Sequence, residues 1–185
     1  MISLMAWNNV SHAQTQVGLR DVTMMPYALE SATNVNRLSP EVRQMYNNMK
    51  GVFPKKGDLY ELSDSYLVSL TAYAGEFCRI MIATDMKNTP DKRWAHGSVD
   101  FNIPPHNWTE PSVNSLLDRY AELFWQRPLD VDEREILRQG LGDLLIELPK
   151  TNKSAEGILL SACAAFSTAP QFIFIGGRFQ SHVVK

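Results

Sequence analysis

The stretch from Ala121 to Phe174 constrains the fold of this chain most, because helical apolar spacing alternates there with sharp polar breaks. Proline disfavours a helical conformation in the residue before it, so Pro128 ends an incoming helix at Arg127. Asp130, followed three residues later by Glu133, matches the capping box that begins a helix. A polar break, a third helix and an aromatic strand follow. The sequence therefore predicts a helical hairpin, a third helix and a mainly α fold.

Both helices of the predicted hairpin carry an apolar face. Thr109 is placed to cap the first helix. The second runs from Asp130 to Pro149, and its predicted buried stripe consists of Ile136, Leu137, Leu141, Leu144, Leu145 and Leu148. Gly140 and Gly142 lie inside this helix, where each costs about 1 kcal/mol relative to alanine. Interior glycines usually have a packing reason, so we expect another element to approach closely there.

Two segments of this stretch resemble a pattern found in helical domains of large uncharacterised bacterial envelope proteins, which are often linked to c-type cytochromes. The segments are FWQRPL from Phe124 and STAPQFIF from Ser167. In that family an aromatic-x-Arg-Pro-Leu corner precedes, by one helical hairpin, a Ser-Pro-x-Phe-Leu-Tyr-like exit. Here Gln126 stands where arginine is usual, and Ala169 precedes the proline.

The resemblance covers about a third of the chain, and its motif is structural rather than catalytic. It implies a helical domain in a bacterial envelope assembly. The residues that form the motif are Trp125, Arg127, Pro128, Asp130, Glu133, Pro170 and Phe172. For Arg127 we expect either a cap on the carbonyls that end its helix or an ion pair with Asp130 or Asp132.

The whole chain of 185 residues is expected to form one helical-bundle-like domain of about five helices. Ser39 and Pro40 predict a short helix that runs to about Met49. The expected parts are an irregular N-terminal part at 1–60, a long helix at 61–86 capped by Ser63, a loop at 87–108, and the hairpin with its third helix at 109–174.

The loop at 87–108 is the predicted partner-binding segment, because long loops without regular structure are commonly functional or docked. It carries two tryptophans and two histidines, namely Trp94, His96, His106 and Trp108. The alternative is that both tryptophans fasten the loop to the domain's own core.

The chemical inventory predicts no catalytic residue, no cofactor and no metal site. The sequence has no Gly-rich phosphate loop, no haem attachment motif and no paired-cysteine zinc spacing. His96, Asp100 and His106 match no standard metal spacing.

Charge and hydropathy exclude two classes of partner. Residues 109–148 hold nine acidic and four basic side chains, and no basic cluster elsewhere resembles a nucleic-acid footprint. The sequence lacks a run of about 20 apolar residues, so no transmembrane segment is predicted. Peripheral association with the envelope stays open. Met1 to Ala13 ends in a weak cleavage pattern and has a short apolar run, so an exported protein in the periplasm or envelope and a cytoplasmic protein both remain alternatives.

Cys78 and Cys163 are the two cysteines of the chain, and both lie in apolar helical segments. Cysteines on helix faces usually pack as small hydrophobic residues, so we expect two free buried thiols. A disulfide would instead favour export.

Together these features favour a non-catalytic, structural or partner-docking subunit of a bacterial envelope or redox-linked assembly, with other protein subunits as partners. The alternative is a periplasmic enzyme or electron-transfer accessory that uses a cofactor held by a partner.

Overall fold

The computed structural model describes residues 18–19, 23–51, 64–147 and 154–175. These residues are mainly α-helical, which confirms the predicted fold class. The helices are α1 (Met24–Thr33), α2 (Pro40–Met49), α3 (Asp64–Lys87), α4 (Glu110–Tyr120), α5 (Val131–Glu147), α6 (Ser154–Thr168) and α7 (Pro170–Ile173). Two short strands, β1 (Gly18–Leu19) and β2 (Phe174–Ile175), pair antiparallel. No helix in these ranges is long and apolar enough to cross a membrane.

Local capping signals place three helix starts where the sequence predicts them. Ser39 Oγ accepts a hydrogen bond from Val42 N at the start of α2. Thr109 Oγ1 accepts one from Ser112 N at the start of α4. Before α5 the capping box is complete, because Glu133 N donates to Asp130 Oδ1 at 2.7 Å and Asp130 N donates to Glu133 Oε2 at 3.2 Å. The expected cap at Ser63 lies outside the described residues.

The N-terminal part is less irregular than expected, because it contains α1 as well as α2. Thr23 stands at the N-cap position of α1 but makes no side-chain capping hydrogen bond to it. Burial of Met25, Leu29 and Ala32 against the rest of the domain stabilises this helix instead.

The core lies between α3 and α6, which are joined by a disulfide between Cys78 and Cys163 with a Cα–Cα distance of 5.9 Å. The expectation of two free thiols is therefore wrong. Both cysteines are fully buried on facing helices, at a separation that a disulfide spans. The bridge closes a loop of 85 residues. In the chain-entropy model such a loop contributes about 4–5 kcal/mol to stability.

An aromatic cluster joins the end of α4 to the C-terminal helices. The chain leaves α4 through a π-helical turn, Ala121–Trp125, and Gln126 then takes a left-handed conformation with φ 54°. Phe124 packs 5.5 Å from Phe172 between ring centroids. The ring centroids of Trp125 and Phe166 lie 4.6 Å apart. The chain therefore reverses direction on a buried aromatic surface.

Helix α5 departs from its predicted role. Leu141 is buried and Leu137 and Leu145 are partly buried, but Ile136 is 68% exposed and Leu144 is 38% exposed. The expectation that Gly140 and Gly142 admit a close neighbour is also wrong, because a Cβ at either position would have no atom within 4 Å. Only a narrow stripe of this helix is covered by α4 and α6. Leu148 lies outside the described residues.

Candidate functional site

The segment between α3 and α4 turns its polar groups inward. Arg93 donates to the carbonyl oxygens of Asp85, Asn88, His96 and Val99, with donor–acceptor distances between 2.9 and 3.4 Å. Its guanidinium carbon lies 4.6 Å from the centre of the Phe101 ring. One half-buried arginine thus supplies additional hydrogen bonds to backbone carbonyls at the end of α3 and within the segment.

Trp94 also directs its polar groups into the domain. Its indole nitrogen donates to Ala32 O in α1 at 2.8 Å, and its own carbonyl oxygen accepts from Arg119 in α4. The half-buried ring therefore links three parts of the domain. For Trp94 these contacts support the alternative in which the tryptophan fastens the loop to the core.

Asp85, His96 and Tyr120 form a buried hydrogen-bonded network beneath the same segment. His96 Nδ1 lies 2.8 Å from Asp85 Oδ2, and Nε2 lies 2.7 Å from the Tyr120 hydroxyl, which is 3.3 Å from Leu159 O. The Asp85 carboxylate also accepts the backbone N–H groups of Trp94, Ala95 and His96. Each of the three side chains is at most 1% exposed.

The pKa shifts of Asp85 and Tyr120 fit a structural role for these three side chains. Burial alone would raise the pKa of Asp85, but hydrogen bonds from His96 and from the Ala95 and Trp94 amides outweigh it and lower that pKa. Burial raises the pKa of the Tyr120 hydroxyl well above its ordinary value. An ionised Asp85 is therefore favoured beside a neutral Tyr120. The three residues are almost fully buried, and their hydrogen bonds connect α3, α4, α6 and the segment between α3 and α4.

The sequence-predicted partner-binding residues are thus divided between core and surface. His96 is fully buried, which corrects its assignment to a partner-binding surface, because a partner cannot touch it in this structure. His106 is exposed and Trp108 is half-buried, with its indole nitrogen donating to Asp100 O at 3.0 Å. Within the described ranges, no three His, Cys, Asp or Glu side chains are grouped to hold a metal.

The corner residues of the sequence motif do meet in space. Arg127 forms a two-pronged ion pair with Glu133, at 2.7 and 2.5 Å, rather than the expected pair with Asp130 or Asp132. The hydrogen bond from Arg127 lowers the pKa of Glu133. Trp125 donates its indole N–H to Phe166 O at 3.1 Å.

The C-terminal members of the motif lie close to the corner. Pro170 stands at the start of α7, and Phe172 is buried against Phe124. The cluster connects helices through its aromatic contacts and ion pair, which suits a structural motif.

An apolar surface groove lies where α5 runs beside α6. We define the α5–α6 face as Ile136, Gly140 and Leu144 of α5 with Ser161 and Ala165 of α6, all of them exposed. Their spacing of four residues places each set along one line of its helix. These residues line a groove of about 280 Å³ whose floor includes Leu141 and Phe166.

Helix α5 also accounts for much of the exposed apolar surface of the described residues. Nine large hydrophobic side chains are exposed there, and α5 supplies four of them: Val131, Ile136, Leu144 and Ile146. Ile136 and Leu144 also border the groove, and a patch of exposed apolar side chains marks an interaction site more often than scattered apolar residues do. A second groove, of about 220 Å³, lies on the other side of α5 beneath Trp108.

The rim of the α5–α6 face is acidic. Asp132 precedes Ile136 by four residues and Asp143 follows Gly140 by three, so both carboxylates lie on the side of α5 that carries the face. Neither has an ion-pair partner among the residues described. The nearby charges of α5 that are paired, such as Glu135 with Arg138, cancel each other.

Sequence reasoning missed the two features that decide this picture. Asp85 had a signal, because it lies three and four residues after the buried Ile82 and Met81, on the apolar side of α3. A carboxylate at such a position needs partners. The exposure of α5 had no such signal, because an apolar stripe does not reveal whether the domain covers it.

Comparison with family models, with curated proteins and with solved structures finds no match for this chain. The resemblance to helical domains of envelope proteins therefore remains a prediction.

Proposed function

We propose that this chain is a non-catalytic, partner-docking subunit of a bacterial envelope or redox-linked assembly, and that it binds its partner on the α5–α6 face. The observation that carries the proposal is the exposure of Ile136 and Leu144 beside an open apolar groove. Burying apolar surface of this kind contributes about 25 cal/mol per Å².

The shape of the face favours a helix as the occupant. Gly140, Ser161 and Ala165 are small, and they line the groove together with the larger Ile136 and Leu144 side chains. Small residues let a helix backbone approach closely, while flanking large residues fill the spaces between its side chains. An amphipathic helix that lays its apolar side into such a groove is a common recognition mode.

The charge of the face favours a basic helix. Asp132 and Asp143 border it without partners, and residues 109–148 as a whole carry five more acidic than basic side chains (nine against four). Complementary charge at a rim accelerates association and selects the partner more than it adds affinity. The proposed occupant is therefore an amphipathic, lysine- or arginine-rich helix of another subunit.

Two further observations support the rest of the proposal. Asp85, His96 and Tyr120 are enclosed, so the polar cluster best suited to proton transfer serves the fold. The disulfide between Cys78 and Cys163 suits an oxidising compartment such as the bacterial periplasm. It agrees with the location implied by the resemblance.

A peptide-binding experiment tests the docking site. Two synthetic amphipathic helices share one leucine stripe, and their polar sides carry lysine in one and glutamate in the other. We expect the full chain to bind the lysine peptide in fluorescence anisotropy, and Ile136→Asp to weaken binding by roughly tenfold or more, as for loss of an interface hot spot. Val68→Asp is the matched control, because Val68 is 70% exposed on α3, away from the face.

Several outcomes would overturn the proposal. Equal binding of the lysine peptide to the Ile136→Asp and Val68→Asp variants would show that the face is not the site. Preference for the glutamate peptide would contradict a basic partner. If sedimentation shows a dimer of the chain that Ile136→Asp dissociates, the occupant is a second copy. A photo-crosslinker at position 136 in native cells should join the chain to a basic helical segment of another protein.

A further inference from the structure

A separate cleft lies where α1 and α2 meet α3. Its volume is about 380 Å³, and it is lined by Tyr27, Arg37, Arg43, Tyr46 and Tyr73 with the Asn47 side chain at its edge. We call it the tyrosine cleft. Its volume falls in the range of small-molecule sites, which is roughly 300–1,000 Å³.

Aromatic rings form the walls of the tyrosine cleft. Tyr46 and Tyr73 lie 6.0 Å apart between ring centroids, at an interplanar angle of 51°. Tyr73 is 1% exposed, so one wall is fixed in the core, whereas Tyr27 is 59% exposed at the mouth. The Arg37 guanidinium carbon lies 4.0 Å from the centre of the Tyr27 ring and holds that ring in place. A flat apolar group would be contacted on its faces by rings that are already ordered.

The cleft also contains one uncommitted cation. Arg37 is paired with Glu30, with Nη1 2.6 Å from Oε2, so the charges of these two residues cancel. Arg43 is exposed, and its guanidinium has no hydrogen-bond or ion-pair partner in the described parts of the chain. The tyrosine cleft therefore presents a net positive charge at Arg43.

A further donor lies one helical turn from Arg43. Asn47 Oδ1 accepts a hydrogen bond from Lys50 Nζ at 3.3 Å, which leaves the Asn47 amide NH₂ free to donate. Arg43 and Asn47 are four residues apart on α2, so their side chains lie on the same side of that helix. Together they offer a guanidinium fork and an amide N–H, which suit a carboxylate.

We propose that the tyrosine cleft binds a small aromatic carboxylate, with the ring between Tyr27 and Tyr46 and the carboxylate on Arg43 and Asn47. This site shares no residue with the α5–α6 face. Its success or failure therefore says nothing about partner docking.

Nuclear magnetic resonance titration of the full chain labelled with ¹⁵N tests this assignment. The probe is 4-hydroxyphenylacetate; tyrosol, its neutral alcohol counterpart, tests the charge, and acetate tests the ring. We expect the carboxylate probe to shift amide resonances of α1 and α2, and both comparison compounds to bind at least tenfold more weakly. Arg43→Gln should weaken binding of the probe roughly tenfold, which corresponds to a loss of about 1.4 kcal/mol in binding free energy.

Arg138→Gln is the matched control, because Arg138 is an exposed arginine of α5 that is remote from the cleft and pairs with Glu135. Its affinity for the probe should equal that of the unmodified chain. Unchanged affinity in Arg43→Gln would overturn the proposal, as would equal binding of tyrosol. Absence of probe-induced shifts in α1 and α2 would also overturn it.

Discussion

Residues 88–109 have little regular structure, yet they are held more firmly than α5, which is a regular helix of 17 residues. The irregular segment is anchored by groups from three helices: the Asp85 side chain of α3, the Arg119 side chain of α4 and the Ala32 carbonyl oxygen of α1. In α5 the backbone groups pair within the helix, so the rest of the domain contacts it mainly through the apolar stripe around Leu141 and the ion pairs of Glu133 with Arg127 and of Arg134 with Asp118. An irregular segment lacks such internal pairing and must be anchored from outside.

The difference separates local order from tertiary attachment. Backbone hydrogen bonds within α5 pair its polar groups without help from a neighbour, so its outer side can stay uncovered and available for a partner while the inner stripe packs on the domain. The 88–109 segment has no comparable freedom, because releasing it would expose a buried carboxylate and a buried histidine. We therefore place docking on α5, although the sequence favoured the loop.

The largest effect is expected from Asp85→Ala, which removes the acceptor of three backbone amides and of His96. Leaving a buried donor without its acceptor costs about 1–3 kcal/mol for each group, so the total loss should be about 3 kcal/mol or more. Urea unfolding followed by circular dichroism should show this loss of unfolding free energy. Asp143→Ala on α5 is the control, and as a surface change it should stay within about 0.5 kcal/mol. Similar values for both variants would remove the contrast between the two regions.

The pH dependence of the unfolding free energy should reveal the contribution of Asp85. The folded pKa of Asp85 is lowered, so its contribution is fully present above the unfolded pKa and is lost as the pH falls through the folded pKa. Asp85→Asn cannot lose that contribution. The difference in unfolding free energy between the unmodified chain and Asp85→Asn should be constant above about pH 5 and shrink below it.

Unfolding free energies measured at a series of pH values check this expectation. Asp143→Asn is the matched control, and its difference from the unmodified chain should change little over the same interval. A difference for Asp85→Asn that stays constant or grows in acid would contradict the lowered pKa of Asp85. Glu76 and Glu133 also titrate with lowered pKa, but they are present in both proteins and cancel in the comparison.

Sequence alone predicts the parts of this molecule that depend on near neighbours. The caps at Ser39, Thr109 and Asp130 bond to residues three positions away, so their signals are contained in the sequence. The contact of Asp85 with His96 spans 11 residues, and that of Cys78 with Cys163 spans 85. Such pairs depend on how helices pack, which the spacing of apolar residues does not specify.

The α5 helix shows the same limit in the opposite direction. Its apolar periodicity predicts a buried stripe, and the inner half of that stripe, around Leu141, is indeed buried. The outer half, with Ile136 and Leu144, is exposed because α4 and α6 are too few neighbours to cover it. Periodicity identifies which side of a helix is apolar, while the remainder of the fold decides whether that side is covered.

The smallest effect, and the sharpest contrast in sign, is expected from glycine-to-alanine changes in the two regions. A Cβ at Gly140 or Gly142 of α5 would meet no atom within 4 Å. Alanine is the better helix former, so each change should raise the unfolding free energy by about 0.5–1 kcal/mol. At Gly97 in the 88–109 segment a Cβ would lie 3.0 Å from the Pro90 carbonyl oxygen, which is backbone and cannot move aside easily. Gly97→Ala should therefore lower the unfolding free energy, by about 1 kcal/mol or more, as overpacking does.

Thermal and urea unfolding of the three single variants measure these signs directly. The double variant Gly140→Ala/Gly142→Ala should gain about as much as the sum of its parts, because neither methyl group has a neighbour to disturb it. A loss of stability at Gly140 would mean that another element does approach α5 there. The outer side of the helix would then be part of the domain's own core rather than a docking surface. A gain at Gly97 would mean that the 88–109 segment yields to a methyl group. The proposal that docking occurs on α5 depends on tight anchoring of the 88–109 segment. A gain of stability at Gly97 would therefore weaken that proposal.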